Sequence, residues 1–271
     1  MNILKHLVTV AIISLLLVSC EFSKEWNYDY NVDINKLVVH GFFSVDTLIV
    51  EIKGLKHPLT KQSIEPKGIV AELYEDNLLV GCLQKLNDST FTEPIGFLPV
   101  PHKGYWLKVK CDNFPEVSTM KEKLPDMTQI NNITIDTLNE NQSKLIISVN
   151  FNDVKGVTNF YSLTVYEYFK GEVLVKGFFN QGITSDNTFD GNTQNWQVEA
   201  YKWSDSVELY LHQLSPYFYR FLKSIDDFDN SASDPFVARP AQVFTNVVNG
   251  YGFFGAFSTS QKKVVYIKNK R

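Results

Sequence analysis

The sequence predicts an all-β protein with one short amphipathic helix, and three observations favour this class. Phe, Tyr and Trp are abundant, at 20, 13 and 4 of the 271 residues, and aromatic and β-branched residues are enriched in strands. Many short segments alternate between apolar and polar residues, and turn residues separate them. One segment has the apolar spacing of a helix.

The first half of the chain is predicted to form an immunoglobulin-like β-sandwich of short strands. Turn residues at 75–77 join two of these strands into a hairpin. The charged, proline-containing segment 121–126 has no periodicity. We therefore place a domain boundary there, with the sandwich over 36–124 and a larger β domain over 125–271. The predicted strands of the sandwich cover residues 36–41, 46–52, 68–74, 78–83 and 105–111.

The second half is also β-rich and contains the helix. Ser215 is a favourable N-cap and Pro216 a favourable first helical residue. The apolar positions that follow have the spacing i, i+3, i+4 and i+7, which predicts a helix packed on a sheet. These positions are Phe218, Phe221, Leu222 and Ile225. We expect a polar loop over 181–194, an acidic flexible segment over 226–234, and glycines within 249–256 that permit positive φ or close packing against aromatic rings. The predicted strands cover residues 144–151, 160–169, 172–178, 196–201, 207–212, 242–247 and 264–267.

The beginning of the chain has the pattern of a secretory signal that ends in a lipobox. A cationic start precedes an apolar run over 7–19, which is shorter than the ~20 residues that a membrane-spanning helix needs. Small residues then precede Cys20, so residues 1–19 are predicted to be a signal peptide and Cys20 to be lipidated. Residues 20–35 are predicted to be a tether. Glu21 stands where lipoproteins of the inner membrane usually carry Asp, which favours the outer membrane and leaves the leaflet open.

The remaining cysteines and the net charge limit the choice of partners. The formal net charge is −4, which gives no sign of a nucleic-acid partner. An oxidising compartment permits a disulfide between Cys82 and Cys111, and two separate buried thiols are the alternative. Neither Cys has a second Cys or His at metal-ligand spacing, so we predict no metal and no cofactor there.

Catalytic motifs are missing from the sequence. It contains neither Gly-x-Ser-x-Gly nor His-Glu-x-x-His, and a lone His212 at a strand end is expected to be structural. We therefore predict that the protein is not an enzyme. The acidic stretch that begins at Asp227 fails the pattern of a calcium loop, because Ala232 and Ala238 replace the required Gly and Glu. An irregular calcium site there or at Asp186 and Asp190 is a minor alternative.

A ligand-binding surface is predicted around Trp196, Trp203 and Asp190. Tryptophan beside carboxylates suits stacking and hydrogen bonding to a sugar, and it equally suits ordinary turns between strands. This region is the basis for a carbohydrate-binding function as an alternative.

Several blocks of the chain resemble a family of Bacteroidota lipoproteins that carry the domain of unknown function 4249. The most specific block is residues 249–256, Asn-Gly-Tyr-Gly-Phe-Phe-Gly-Ala, which follows Pro235, Phe236 and Asn246. Weaker blocks are Cys20-Glu21, Leu37-Val38-Val39-His40-Gly41, Gly104-Tyr105, Phe151-Asn152-Asp153, Asn159-Phe160-Tyr161, Asp190-Gly191 and Tyr217-Phe218-Tyr219.

The resemblance implies an outer-membrane lipoprotein that is often encoded near a TonB-dependent transporter, and it implies no established activity. We therefore expect a non-catalytic accessory that binds a partner or cargo for such a transporter. A carbohydrate-binding surface lipoprotein and a structural envelope protein are the alternatives.

Overall fold

The computed structural model describes residues 33–136, 143–174, 179, 181–233 and 242–267. The predicted signal peptide, the predicted lipidation site Cys20 and the part of the predicted tether up to residue 32 lie outside the described residues. Within the described residues, no helix is both long and apolar enough to cross a bilayer.

Alternation of apolar and polar residues gives strands over most of the described chain. The strands are β1 (Leu37–Phe43), β2 (Leu48–Gly54), β3 (Val70–Glu75), β4 (Leu78–Cys82), β5 (Gln84–Lys85), β6 (Thr90–Thr92), β7 (Gly104–Cys111), β8 (Phe114–Thr119), β9 (Glu122–Lys123), β10 (Ile130–Asp136), β11 (Lys144–Asn152), β12 (Phe160–Phe169), β13 (Glu172–Val173), β14 (Ile183–Ser185), β15 (Thr193–Tyr201), β16 (Ser206–Leu214), β17 (Val247–Val248), β18 (Tyr251–Thr259) and β19 (Lys263–Tyr266). The helix α1 is Pro216–Ser233. The predicted all-β class with one amphipathic helix is confirmed.

The strands form three sheets. The largest has ten strands in the order β13-β12-β16-β18-β1-β2-β6-β5, with β14 beside β12 and β19 beside β16. The second has six strands in the order β17-β8-β7-β3-β4, with β9 beside β7, and the third has the order β10-β11-β15. The pairing of β1 with β18 is parallel, whereas β1 with β2 and β16 with β18 pair antiparallel.

Three hydrophobic clusters lie against the ten-stranded sheet, one of them under the helix and two between this sheet and another sheet. The first core joins β1, β2 and β18 to the six-stranded sheet, and it contains Leu37, Leu73 and Tyr105, each fully buried. The second core joins β12 and β16 to the three-stranded sheet, and it contains Phe151 and Leu163. The ten-stranded sheet is therefore continuous through both sandwiches.

Strand β18 contributes to the first core although it comes from the far end of the chain. Phe254 and Ala256 on β18, and Val247 on β17, are buried with the residues of β1 and β3. Residues Asp33–Arg271 accordingly form one compact unit. The domain boundary after residue 124 stays a prediction.

Helix α1 packs on the ten-stranded sheet through the predicted stripe. Phe218 and Phe221 are buried against Phe253 and Phe257 of β18, and Leu222 and Ile225 flank them. The Phe221 and Phe253 rings stack with centroids 3.8 Å apart. The helix begins at Pro216, as predicted.

The glycines of the 249–256 block have the predicted roles. Gly252 has φ +107°, and a Cβ there would lie 2.1 Å from the Val39 carbonyl oxygen of β1. Gly255 faces α1, and its Cβ would lie 2.7 Å from the Phe218 Cβ. The block therefore lets β18 approach a neighbouring strand on one side and a helix on one face.

Several expectations differ from the structure. The expected polar loop over 181–194 contains strand β14 (Ile183–Ser185), a 3-10 helix over Asp186–Thr188 and the first residues of β15, because Ile183 to Ser185 pair with β12. The acidic segment that begins at residue 226 was expected to be a flexible loop, but it is helical and extends α1 to Ser233. The apolar stripe that precedes it is packed on the sheet, so the polar residues add turns to a helix that is already formed. The predicted strand over 242–247 is reduced to Val247–Val248, and the long strand β18 was not predicted because glycines interrupt its pattern.

A buried carboxyl group joins β9, α1 and β18. Glu122 of β9 lies opposite Tyr105 of the neighbouring strand β7, and only 3 % of Glu122 is exposed. Its Oε2 has no hydrogen-bond partner among the described residues. Burial raises the pKa of Glu122 to about 8, and bonds from the backbone of Tyr217 and Ala256 lower it by less. The side chain is therefore held neutral at the first turn of the helix.

We predict that Glu122 makes the protein less stable as pH rises from about 4.5 to 8. The folded form keeps its proton while the unfolded form loses it, so the free energy of unfolding falls over this interval, by roughly 4 kcal/mol in total. Glu122→Gln, which stays neutral, should remove this fall and be the more stable protein at pH 8. Urea unfolding of both proteins at pH 5, 6.5 and 8 measures the difference.

The comparison with Glu122→Gln cancels the contribution of other groups, such as His212. Burial lowers the pKa of His212 to about 4, so that group adds stability as pH rises, which is the opposite sign. A stability difference between the two proteins that does not change with pH would contradict the prediction.

Candidate functional site

The three predicted ligand-binding residues do not form one site. Trp196 lies within β15, opposite Val149, and packs against the second core. Asp190 precedes β15 and Trp203 follows it. Because nine residues of strand span roughly 27 Å, Asp190 and Trp203 lie at opposite ends of β15. The structure places each of them in a different group of side chains.

Asp190 belongs to a cluster of three carboxylates. Oxygen atoms of Asp153, Asp186 and Asp190 lie within 4.8 Å of one another. Asp153 and Asp186 are buried, and Asp190 is exposed. Oxygen-only clusters of this kind are the donor sets that hard divalent cations use.

Each carboxylate of the cluster already accepts hydrogen bonds from the protein. The Asp153 Oδ1 accepts from the Tyr161 hydroxyl at 2.6 Å and from the Asn159 amide at 3.2 Å. The Asp186 Oδ2 accepts from the Asn159 backbone N–H at 2.7 Å. The Asp190 Oδ1 accepts from the Gly156 N–H at 2.6 Å. The cluster therefore ties the loops before β12 and β15 together.

Asn159 and Tyr161 are the centre of this network. The Asn159 Oδ1 accepts from the Gln213 side chain at 2.6 Å, and its amide also donates to the Val157 carbonyl at 2.8 Å. Burial, and then the bond to Asp153, raises the pKa of the Tyr161 hydroxyl. These contacts give a structural role to the Phe-Asn-Asp and Asn-Phe-Tyr blocks found in the sequence.

Trp203 belongs to an exposed aromatic group, which we call the aromatic platform and define as Phe169, Tyr201 and Trp203. The Trp203 side chain is 42 % exposed. It stacks on Tyr201 with centroids 4.9 Å apart at 23° and meets the edge of Phe169 at 5.1 Å. The buried Glu167 carboxylate holds the turn by accepting from the Tyr201 N–H and the Ser204 hydroxyl. The platform is thus rigidly supported.

A polar groove adjoins the aromatic platform at Tyr201. Its volume is about 440 Å³. Lys144 and Glu199 form an ion pair on its wall at 2.5 Å. The remaining lining residues are Glu167, Gln181, Gln197, Val198, Ala200 and Tyr201. Tyr201 was missed at the sequence level, because its ring meets that of Trp203 through the turn that follows β15.

A second exposed group is apolar and lies at the edge of the six-stranded sheet. Three consecutive residues of β4 are exposed, and β4 ends that sheet. Exposure reaches 74 % at Leu78, 90 % at Ile95 and 74 % at Leu98. We call this surface the edge patch, and its members are Leu78, Leu79, Val80, Ile95, Leu98 and Val100.

The edge patch consists of residues on β4 and residues on the loop that carries Ile95, Leu98 and Val100, and two contacts fix the position of this loop. A Cβ on Gly81 would lie 3.2 Å from the Pro94 ring, so the loop that carries Ile95 packs beside β4. At the other end of the loop, the Val100 N–H donates to the Tyr105 hydroxyl, which donates to Glu75. The signal for this surface in the sequence was the unbroken apolar run at 78–80, which does not alternate as a half-buried strand would.

The two cysteines are free thiols in the structure. Cys82 is exposed on β4 and Cys111 is partly buried on β7. Strand β3 lies between their strands, so their Cα atoms are at least two strand spacings apart, about 9.5 Å. A disulfide needs a separation below ~7 Å. The structure therefore does not form the disulfide that the compartment would permit.

His212 has the environment of a structural residue. It is almost fully buried, and hydroxyls of Thr164 and Thr259 contact its two ring nitrogens at 2.8 and 3.0 Å. Burial lowers its pKa to about 4. Both nitrogens of the neutral imidazole therefore have hydrogen-bond partners, as is usual for a buried polar group in a structural role.

We predict that Asp153→Ala costs about 2–4 kcal/mol of stability, because it removes the acceptor of the buried Tyr161 hydroxyl and one acceptor each of the Asn159 amide and the Gly191 N–H. Asp190→Ala, the matched control at an exposed position, should cost about 1 kcal/mol or less. Urea unfolding measures both. Equal costs, together with a rise in stability on adding Ca²⁺, would instead identify the cluster as a cation site.

Comparisons with known proteins place the chain in a family. A solved structure with a similar chain is the chicken interferon gamma receptor alpha chain, which is 8 % identical; the match covers 86 % of this chain and 98 % of that chain. Its TM-score is 0.25, so this likeness carries no argument here. No curated protein matches the chain. The family model for the domain of unknown function DUF4249 matches residues 23–263, and the chain therefore belongs to the DUF4249 family.

Proposed function

We propose that the chain is a lipid-anchored, non-catalytic outer-membrane protein that binds a protein partner, as an accessory of a TonB-dependent transport system. The edge patch is the observation that carries this proposal. The lipobox at Cys20 and membership of the DUF4249 family support it.

The edge patch has the character of a protein-binding surface. Contiguous exposed apolar groups are unusual on monomeric soluble proteins and are typical of interaction sites. Polar groups beside the edge patch already have hydrogen-bond and ion-pair partners within the protein. Asp76 accepts a hydrogen bond from the Gly104 N–H and lies 3.5 Å from the Lys103 Nζ. A partner would thus bury apolar side chains at the centre with ion pairs at the rim.

Side-chain contacts are a better basis for this binding than the addition of a strand. The register of β3 and β4 shifts between Leu73 and Tyr74, and a bulge bends an edge and disfavours pairing with another chain. Leu78, Leu79 and Val80 of this edge strand are nevertheless all exposed. We therefore expect a partner to recognise the apolar side chains of the patch.

Carbohydrate binding is the second candidate function, and the aromatic platform favours it. The exposed Trp203 ring, which stacks on the partly buried Tyr201, offers the flat apolar surface that a sugar ring covers. The adjoining groove supplies amide and carboxylate groups for hydroxyls, among them Gln197 and Glu199. Trp203 replaces Trp196 as the residue on which this function depends, because Trp196 packs into the core.

Affinity purification from native outer membrane, followed by mass spectrometry, tests the first function. The tagged wild type should recover a TonB-dependent transporter in stoichiometric amount. A variant with Leu79→Ser, Ile95→Ser and Leu98→Ser should recover at least ~10-fold less, because it removes apolar contact area at the centre of the patch.

The matched control carries Val154→Ser and Val157→Ser, which are exposed apolar positions on another loop, and should recover the transporter as well as the wild type. Repeated recovery of no transporter by the wild type would reject the transport function. Equal recovery by the patch variant would show that the edge patch is not the binding surface.

A glycan array followed by calorimetry tests the second function. Any glycan that binds should lose about 10-fold in affinity on Trp203→Ala, since one stacking ring contributes roughly 1–1.5 kcal/mol. Trp196→Phe keeps the core packed and should bind as the wild type does. No glycan bound by the wild type, or no loss on Trp203→Ala, would rule out the platform as a sugar site.

A further inference from the structure

A large cleft lies at the end of the first sandwich where the described chain begins. Its volume is about 880 Å³. The Leu55 N–H donates to the Lys36 carbonyl at 2.9 Å, and Gly54 pairs with Leu37, so the wall of the cleft is bonded to the first described residues. Its floor is apolar, formed by Ile52, Ile69 and Phe91. We call it the tether-end cleft.

Lysines surround the tether-end cleft on an otherwise acidic protein. Lys53, Lys56, Lys67 and Lys85 line it, beside Glu65 and Asp88. The segment 53–68 contains four lysines and one glutamate, whereas the whole chain has a formal charge of −4.

Some of these lysines are neutralised and others are not. Lys53 pairs with Glu51 at 2.5 Å, and Lys85 pairs with Asp88 at 2.9 Å. Lys56, Lys61 and Lys67 are exposed. Within the described residues they have no carboxylate at ion-pair distance; the salt bridges of other lysines are Lys103–Glu75, Lys103–Asp76, Lys108–Glu116, Lys110–Glu116, Lys144–Glu199, Lys223–Asp227 and Lys262–Glu208.

An exposed leucine stands between Lys56 and Lys61 in the sequence. Leu59 is 64 % exposed at the tip of a closed turn. The His57 Nδ1 accepts the N–H groups of Leu59 and Thr60, and the Lys61 N–H donates to the His57 carbonyl. The turn therefore presents one apolar side chain with Lys56 and Lys61 on either side of it in sequence.

We propose that this end of the protein docks on a membrane surface that contains anionic phospholipids, with Lys56, Lys61 and Lys67 contacting the phosphates and Leu59 entering the interface. Basic side chains with a neighbouring apolar residue are the combination that binds such surfaces. The proposal rests on the proposed function only for the lipid anchor at Cys20.

The position of the cleft in the chain supports a membrane as the occupant. Twelve residues separate Cys20 from Asp33, and an extended chain of that length reaches at most ~45 Å. The first described residues are bonded to the wall of the cleft, so a lipid at Cys20 would keep this face near the bilayer. Phosphate contacts would then limit the rotation of the protein on its anchor.

Co-sedimentation with vesicles tests the proposal without an anchor or a transporter. The protein is the mature chain from residue 20 with Cys20→Ser, mixed with vesicles of phosphatidylcholine alone or with added phosphatidylglycerol. We expect binding to the vesicles that contain phosphatidylglycerol, weakened by NaCl. The variant with Lys56→Gln, Lys61→Gln and Lys67→Gln should bind about 100-fold less, since each lysine near an anionic surface contributes roughly fivefold.

The matched control has Lys123→Gln, Lys155→Gln and Lys223→Gln, which remove the same charge from exposed positions elsewhere, and it should bind within about threefold of the wild type. Leu59→Ser should weaken binding several-fold. Equal binding to both vesicle types, or equal loss in both triple variants, would overturn the proposal. Release by inorganic phosphate beyond that caused by NaCl of equal ionic strength would also overturn it, because the cleft would then be a site for a free anion.

Discussion

The fold depends on two close approaches of strand β18. Within the sheet it pairs with β1, and one face of it packs against helix α1. Its alternate residues serve different cores, since Phe254 and Ala256 face the first sandwich while Phe253 and Phe257 face the helix. Gly252 and Gly255 remove the Cβ atoms that would collide with β1 and Phe218. Without these contacts the ten-stranded sheet would separate into two parts, and the helix would have no surface to cover.

This arrangement also decides where the exposed groups lie. The two sandwiches share one sheet, and the strand order of the other two sheets determines which strands are left at their edges. The edge patch lies on β4 at the end of one sheet, and the aromatic platform lies where β15 ends in the other sandwich. Each group rests on a buried polar or aromatic support, Tyr105 under the edge patch and Glu167 under the platform. The backbone under each surface is therefore fixed before a partner binds, which lowers the cost of ordering it on binding.

Buried polar groups connect the loops and the helix to the sheets. Asn159 links Asp153, Asp186 and Gln213, and Glu122 links β9 to the first turn of α1. The first network has donors for its acceptors, so its burial is tolerated. Glu122 differs because it is held neutral by burial, which makes the junction between β9 and α1 sensitive to pH.

The sequence by itself determined the class, most strand positions and the start of the helix, because alternation and apolar spacing are local properties that survive in any packing. It also determined the glycines of β18, Cys20 as a lipidation candidate and Trp203 as an exposed aromatic. Only the tertiary structure decided that Trp196 and Asp190 lie away from Trp203, that Cys82 and Cys111 are separated by β3, and that β18 pairs with β1. The pairing of β18 with β1 joins residues more than two hundred positions apart, and Asp190 and Trp203 lie at opposite ends of one strand. The cysteines are separated because β3 pairs with β4 on one side and with β7 on the other. No local pattern records which strand becomes the neighbour of which.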